Sequence, residues 1–217
     1  MEPRKPAGGV RLPTPDMLLH TAECLFAENG IATVSNRRVA EVAGAANNSA
    51  VNYHYGSKTG LLLAIVRKHN ADLEAIRLRM LAEVEGSDNP RDYIACMVLP
   101  MTEHLQRLGR PTWYARFSLQ AMTDPAFLAD FTREVSDTPS NQQSWAKLTA
   151  LFDRTDLATL GHRSRLVALV VCHACADFER ELAQGRTRPG GSWDAVGRFL
   201  VDAVTGMLTA PSTRPPA

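Results

Sequence analysis

Residues 34–58 read VSNRRVAEVAGAANNSAVNYHYGSK, and this stretch decides the fold. Ser35 is a favourable N-cap residue, and apolar residues at helical spacing follow it as far as Gly44, which suits the left-handed backbone of a helix end. Asn47 or Asn48 can cap a second short helix. Two short helices joined by a tight turn containing glycine are typical of a helix-turn-helix, whose second helix enters the major groove of DNA.

The second helix carries side chains that suit contact with nucleic acid. Asparagine can pair bidentately with adenine, and hydroxyl and imidazole groups can hydrogen-bond base edges or phosphates. The alternative is two ordinary amphipathic helices with a polar face, because short helix pairs are common. The candidate contacts in this helix are Asn47, Asn48, Ser49, Asn52, Tyr53 and His54.

A more specific pattern favours DNA binding over that alternative. YHYGSK at 53–58, followed by Leu61, resembles the YHFGSK-x-x-L signature that closes the DNA-binding domain of the TetR family of bacterial transcriptional regulators. Upstream, LFAENGIATVSNRRVAEVAGA at 25–45 is similar to the family's LF-x-E-x-G block, polar pair and short helix ending in Ala-Gly. The resemblance implies that Lys58 contacts a DNA phosphate. The remaining candidate DNA contacts are Ser35, Asn36 and Arg37.

Two features depart from the family pattern. The usual Thr-Thr pair is Val34-Ser35 here, so one capping hydroxyl is missing. Between Gly44 and Tyr53 the chain has one residue more than the commonest family spacing. The register of the recognition helix is therefore open by one position.

The composition sets limits on the class of protein. The chain has 217 residues, 45% of them hydrophobic and 22% charged, as in a globular protein. Its formal net charge of +1 means that any affinity for DNA must come from a local patch. No run reaches the roughly 18 apolar residues of a membrane span, and the N-terminus lacks an apolar signal core. We therefore expect a cytoplasmic protein with no membrane partner.

Helix start and stop signals predict an all-α chain, with no strand pattern long enough for a sheet. Thr14-Pro15-Asp16 begins a helix, and Ser57 caps a long one over about 58–84, with Arg67, Lys68, Arg77 and Arg79 on its solvated face. Further helices are predicted at 91–108, 112–122, 125–135, 140–155, 162–184 and 193–208.

With the resemblance, these signals divide the chain into four parts. The N-terminal part is predicted to be a flexible arm because it is rich in proline and glycine, and its basic side chains can touch phosphates. The three-helix DNA-binding domain and the long helix follow it. The predicted parts are a flexible basic arm at 1–13, a helix-turn-helix DNA-binding domain at 14–60, a helical ligand-binding and dimerisation domain at 61–209, and a disordered tail at 210–217.

The segment from 97 to 131 is rich in bulky, adaptable side chains at helical offsets. Such residues either fill a core or line a cavity for an apolar ligand, and for any single residue core packing is favoured. The resemblance implies a pocket here for a small apolar or aromatic effector. A lone histidine on an apolar helix is more often a core residue than a ligand contact. The candidate ligand residues are Met97, Met101, Trp113, Tyr114, Phe117, Met122, Phe127, Trp145 and His173.

The last two helices are apolar over much of their surface. In the family the corresponding pair forms a four-helix bundle with its two-fold mate, and the apolar surface here exceeds what one small domain readily covers. The predicted dimer residues are Val167, Val170, Val171, Ala174, Phe178, Phe199, Leu200 and Val204.

These features together predict a homodimeric DNA-binding transcriptional regulator that an effector releases from a palindromic operator. An alternative is a redox- or protein-responsive regulator acting through the C-x-x-C pair Cys172 and Cys175, although buried cysteines in an apolar helix are usually inert. An all-helical enzyme is the weaker alternative, because the histidines and cysteines lack metal-ligand spacing and there is no phosphate loop or nucleophile elbow. We expect no catalytic residues, no metal ion and no cofactor.

Overall fold

The computed structural model describes residues 14–45, 49–152, 157–186 and 190–211. Every regular element within these ranges is an α-helix, which confirms the predicted fold class. The predictions for 1–13, Asn47, Asn48 and 212–217 concern segments outside the described residues. The helices are α1 (Pro15–Asn29), α2 (Asn36–Val42), α3 (Ala50–Tyr55), α4 (Lys58–Glu83), α5 (Pro90–Leu108), α6 (Tyr114–Thr123), α7 (Leu128–Ser136), α8 (Pro139–Thr149), α9 (Leu157–Ala183) and α10 (Trp193–Thr209).

Side-chain caps begin three of the first four helices where the sequence predicts them. Thr14 Oγ1 accepts from the amide of Met17 at 3.2 Å, and Ser35 Oγ accepts from the amide of Arg38 at 3.2 Å. Ser57 Oγ accepts from the amide of Gly60 at 3.0 Å. Each such cap stabilises a helix by about 1 kcal/mol, so these hydroxyls fix where the elements of the N-terminal domain start.

The predicted start of α3 and the predicted break before α9 need correction. Ser49, rather than Asn47 or Asn48, occupies the N-cap position of α3. The sequence predicts a helix boundary at Gly161, but α9 begins at Leu157 and continues through it. A glycine inside a helix costs about 1 kcal/mol relative to alanine and does not by itself end the helix. The preceding helix, α8, ends at Thr149 instead of 155.

Helix α4 is the element that the two halves of the chain share. Its 26 residues extend about 39 Å, and its N-terminal half packs under the helix-turn-helix through Leu61, Leu62 and Ile65. Further along its length, α4 packs against α5, α7 and α8. A change in the C-terminal helices can therefore reach the first three helices through one continuous rod.

Arg77 of α4 is buried, which corrects the prediction that it lies on the solvated face. Its Nε donates to the carbonyl of Cys96 at 3.2 Å and its Nη1 donates to Ser140 Oγ at 3.0 Å. Helices α5 and α8 cover this part of α4, and Glu74 accepts from both the amide and the hydroxyl of Ser140. Burial lowers the pKa of Arg77, and the nearby Glu74 carboxylate opposes that shift.

The C-terminal helices are layered so that α6 lies between α9 on one side and α1 on the other, while α5 packs along α10. The α5–α10 contact is close at Gly197, where a Cβ would lie 2.6 Å from Thr102 Oγ1. None of the helices in the described ranges combines the length and apolar character that crossing a membrane requires.

Candidate nucleic-acid interface

Helix α3 presents its polar face to solvent. Ala50 and Val51 are buried beneath it, whereas Asn52, Tyr53 and His54 are exposed. The side chain of Tyr53 is 84% exposed, and its ring meets the edge of the His54 ring at a centroid distance of 4.9 Å. A large aromatic residue left outside the core on so short a helix is available to contact a partner.

Two hydrogen bonds from neighbouring elements hold α3 in place. Asn36 of α2 donates through Nδ2 to Asn52 Oδ1 at 3.0 Å. On the other side, the hydroxyl of Tyr55 donates to the carbonyl of Pro15 at 2.7 Å, which links the end of α3 to the start of α1. Burial, with a smaller effect from Asp16, raises the pKa of Tyr55, so this hydroxyl stays a donor near neutral pH. The angle of α3 is thus set by both other helices of the domain.

The remaining predicted contacts at the starts of α2 and α3 differ in their surroundings. Ser49 stands exposed at the N-cap position of α3. The hydroxyl of Ser35 is used to cap α2, so only its other lone pair and its proton remain for a partner. Arg37 is exposed and pairs with Glu41 at 2.9 Å, and such a surface pair is weak enough for a phosphate to compete with it.

Lys58 is folded back against its own domain. Its Nζ donates to the carbonyl of Ile31 at 2.5 Å and lies 5.7 Å from the centroid of the Phe26 ring. Burial lowers the pKa of this ammonium group. To contact a phosphate the side chain would have to leave the Ile31 carbonyl, so its predicted role as a DNA contact stays a prediction.

The sequence of this domain was compared with protein-family models. Residues 18–65, from α1 into the first turns of α4, match the model for bacterial regulatory proteins of the tetR family. The N-terminal domain of this chain belongs to the TetR family. Helices α2 and α3 are therefore its DNA-binding helix-turn-helix, and the protein is a transcription regulator.

Solved structures of TetR-family regulators resemble the whole chain at low identity. One from Streptomyces coelicolor is 19% identical, with a TM-score of 0.46, over 96% of this chain and 99% of its own. PfmR from Thermus thermophilus is 20% identical, with a TM-score of 0.41, over 93% of this chain and 87% of its own. No curated protein matches the sequence. The assignment to the TetR family thus rests on the N-terminal domain.

The predicted ligand residues occupy three kinds of position. Tyr114, Phe117 and Phe127 are buried in the core, and Phe117 packs against Phe26 of α1 at a centroid distance of 6.4 Å. His173, expected in the core, is exposed on α9. The half-buried members are Met97, Met101, Trp113, Met122 and Trp145.

Two surface clefts are lined by other residues. One, of about 140 Å³, lies between the start of α9 and the end of α10 and includes Phe152 and Arg163. The other, of about 270 Å³, lies between α5 and the start of α10 and includes Thr102 and Asp194. Neither cleft contains a predicted ligand residue.

The predicted dimer residues divide between the core and the surface of the subunit. Val167, Phe178, Leu200 and Val204 are buried within the chain, and Val170, Val171 and Ala174 are half-buried. Phe199 is 65% exposed. The predicted set omits Leu166 and Leu169, which are exposed on α9 one helical turn apart, although their spacing with Val170 and His173 could have indicated an outward stripe.

The cysteines of the C-x-x-C pair lie one turn apart on α9. Both are free thiols, and Cys175 is buried. Burial raises the pKa of Cys172 to about 12 and raises the pKa of Cys175 as well. Because the thiolate is the reactive form, these groups have the environment of packing residues.

Proposed function

We propose that this TetR-family protein is a homodimeric repressor that binds a palindromic operator and is released by a small apolar or aromatic effector. The observation that carries the proposal is α3. Its exposed Asn52, Tyr53 and His54 stand on a helix that Asn36 and Tyr55 hold from both sides. To read base edges, a recognition helix needs a fixed orientation within its domain and a polar face toward the DNA, and α3 has both properties.

Exposed apolar side chains on the last two helices support the dimer. Leu166 is 53% and Phe199 65% exposed, on α9 and α10 respectively, and Leu169 lies one turn beyond Leu166. Helices α9 and α10 pack together, and exposed large apolar residues on such a pair are expected to meet the same pair of a second subunit in a two-fold dimer. Two such subunits would place their α3 helices on half-sites about 34–36 Å apart.

Contacts between α6 and the first domain support a route for effector release. The indole Nε1 of Trp113 donates to Glu28 Oε1 of α1 at 3.2 Å, and the ring meets His20 of α1 at a centroid distance of 5.2 Å. The next residue, Tyr114, stacks on His69 of α4 at 3.7 Å. An effector that displaces Trp113 would therefore break the contacts of this side chain with α1. The coupling is reciprocal, so operator DNA would weaken effector binding by the same factor.

The proposed boundary between the two domains lies within α4. We place the DNA-binding domain at 14–60 and the effector and dimerisation domain at 61–209. The boundary then falls inside α4, so both domains share a rigid helix and must move together or bend it. A hinge of that helix changes the spacing of the two α3 helices in the dimer.

The DNA-binding claim is tested by selection of genomic fragments with the purified full chain, followed by anisotropy titration of the enriched duplex at fixed salt. Tyr53→Ala should weaken binding of that duplex by about fivefold or more, since the base contacts of one side chain in a duplex are worth about 1–3 kcal/mol. Leu128→Ala, an exposed apolar residue on α7, is the matched control and should bind as the wild type does. Equal affinity of all three proteins would remove α3 from the interface.

The dimer and the effector are tested separately. Phe199→Glu should shift the sedimenting species from dimer to monomer, because it places a charge in a buried contact, whereas Leu128→Glu should not. A wild-type monomer at micromolar concentration would contradict the dimer. Apolar and aromatic compounds that raise the melting temperature should also release the selected duplex, and a Trp113→Ala variant should need more compound for the same release.

A further inference from the structure

Four polar side chains contact one another in sequence where α1 of the first domain meets α4 and α5. Glu23 of α1, His69 of α4 and His104 of α5 are all buried. His69 Nε2 lies 3.1 Å from Glu23 Oε2, and His69 Nδ1 lies 2.7 Å from His104 Nε2. At the outer end, His104 Nδ1 lies 3.6 Å from Asp72 Oδ2, whose side chain is 67% exposed. These four residues are called the polar chain below.

The surroundings of the two imidazoles are tightly packed. The Tyr114 ring of α6 stacks on His69 and meets the edge of the His104 ring at a centroid distance of 5.8 Å. The charged and titratable groups that act on His104 are Glu23 of α1, His69 and Asp72 of α4, Arg107 of α5 and, through ring contact, Tyr114 of α6. Helices α1, α4, α5 and α6 therefore meet at this point.

The contact between His69 and Glu23 and the contact between His69 and His104 are hydrogen bonds that need one proton each. With Glu23 as a carboxylate, His69 donates to it from Nε2, and its Nδ1 must then accept. His104 fills that gap by donating from Nε2, which leaves its own Nδ1 without a proton. Two neutral imidazoles thus satisfy both contacts, and a third proton would create a buried imidazolium.

The environment disfavours that third proton. Burial, followed by the nearby His69, lowers the pKa of His104 to about 4, and the carboxylates of Asp72 and Glu23 only partly oppose this. In an arrangement that exposes His104 to water, its pKa would return to about 6.5. We call the place where α1, α4 and α5 meet the junction; it is closed when His104 is buried and open when His104 is exposed to water. The ratio of open to closed molecules therefore rises about tenfold between pH 7.5 and 5.5.

We propose that the polar chain makes operator binding proton-dependent, with proton uptake at His104 opening the junction of α1, α4 and α5. This inference rests on the proposed function, since it concerns the affinity of the same α3 helices for DNA. The polar chain contacts α1 through Glu23, and the start of α1 is linked to the end of α3 by the hydrogen bond from Tyr55 to Pro15. When the junction opens, the first domain loses its fixed angle to α4.

The direction of the effect follows from that loss. Two recognition helices must match two half-sites at once, and only part of a loosened ensemble has the required spacing. The apparent dissociation constant rises by the inverse of the competent fraction. Operator affinity should therefore fall on acidification, by up to about tenfold between pH 7.5 and 5.5.

The test compares wild type, His104→Gln and His162→Gln by anisotropy with the selected duplex at pH 7.5 and 5.5 and fixed salt. The glutamine amide can still donate to His69 Nδ1 but takes up no proton, and His162 is an exposed histidine on α9 that serves as the control. His54, exposed on α3, is present in all three proteins, so any effect of that residue cancels in the comparison. The affinity of wild type relative to His104→Gln should fall at pH 5.5, by up to about tenfold, and that of His162→Gln should follow the wild type.

An unchanged ratio of wild type to His104→Gln across this pH range would overturn the inference while leaving the regulator intact. If no duplex is bound at either pH, the proposed function fails, and this inference fails with it. A second measurement keeps the inference open to test if His104→Gln does not fold. In ¹⁵N-histidine NMR of the wild-type protein, the imidazole of His104 should be neutral at pH 7.5 and take up a proton between pH 7.5 and 5.5, and a ring that stays neutral throughout this range would overturn the inference.

Discussion

Glu179 of α9 provides the sharpest prediction about what holds the C-terminal helices together. It is buried, and its carboxylate accepts from the amide of Ala115 at 3.2 Å and from the amide of Arg116 at 3.0 Å. The same carboxylate pairs with Nε of Arg116 at 3.1 Å. Helix α6 has no side-chain cap of its own at its N-cap residue Trp113, so Glu179 supplies the missing acceptor from another helix.

Replacing Glu179 by alanine removes one partner of a buried ion pair and leaves two helix-start amides without an acceptor. Such losses cost about 3–5 kcal/mol, because the remaining groups stay buried and unpaired. Glu179→Gln keeps one acceptor oxygen but places an amide N–H against donors, and should cost about 1–3 kcal/mol. Asp177→Ala on the same helix is the control, since its pair with Arg180 is exposed and worth under about 1 kcal/mol.

The assay is urea unfolding followed by circular dichroism, at one protomer concentration for all variants because a dimer's stability depends on it. The expected order of midpoints is wild type and Asp177→Ala together, then Glu179→Gln, then Glu179→Ala, with similar slopes. A Glu179→Ala protein within about 1 kcal/mol of the wild type would refute the argument that this carboxylate caps α6.

Three further predictions concern the first domain and the polar chain. Ser35→Ala should cost about 1 kcal/mol of unfolding free energy by urea titration, because α2 loses its cap, and an unchanged midpoint would contradict that assignment. Lys58→Ala should lower the salt slope of operator binding by about 0.9 if the ammonium leaves the Ile31 carbonyl for one phosphate, whereas an unchanged slope would keep it at that carbonyl. The unfolding free energy should fall by up to about 3 kcal/mol from pH 6.5 to 4, because His104 has a lower pKa when folded and the unfolded chain binds the extra proton there. In His104→Gln that part of the loss should vanish, and the same acid profile in both proteins would exclude His104 as its source.

The helical framework could be predicted because its signals are local. Thr14, Ser35 and Ser57 cap helices through amides three residues away, and Gly44 and Gly56 adopt positive φ at the ends of short helices. Periodic apolar residues then indicate the order of the helices. Gly161 shows the limit of such signals, since packing along α9 outweighs a helix-breaking propensity of about 1 kcal/mol.

The buried polar contacts could not be predicted, because they join residues far apart in sequence. His69 and Glu23 are separated by 46 positions, and Arg77 and Ser140 by 63. Read along α4 alone, Arg77 looks like one of several surface cations, and only the packing of α5 and α8 over it shows otherwise. The exposed residues of the last helix were equally hard to predict. Leu200 and Phe199 are neighbours in sequence, but Leu200 is buried and Phe199 is exposed.

The central claim is that two copies of α3 in one dimer read two half-sites of one operator. The most direct measurement is a stoichiometric titration of the selected duplex, repeated with about 5 and about 10 base pairs inserted between the half-sites. We predict two protomers per duplex and loss of binding with the half-turn insertion, because that insertion turns one half-site to the far side of the DNA helix. One protomer per duplex, with full affinity for the half-turn insertion, would contradict it.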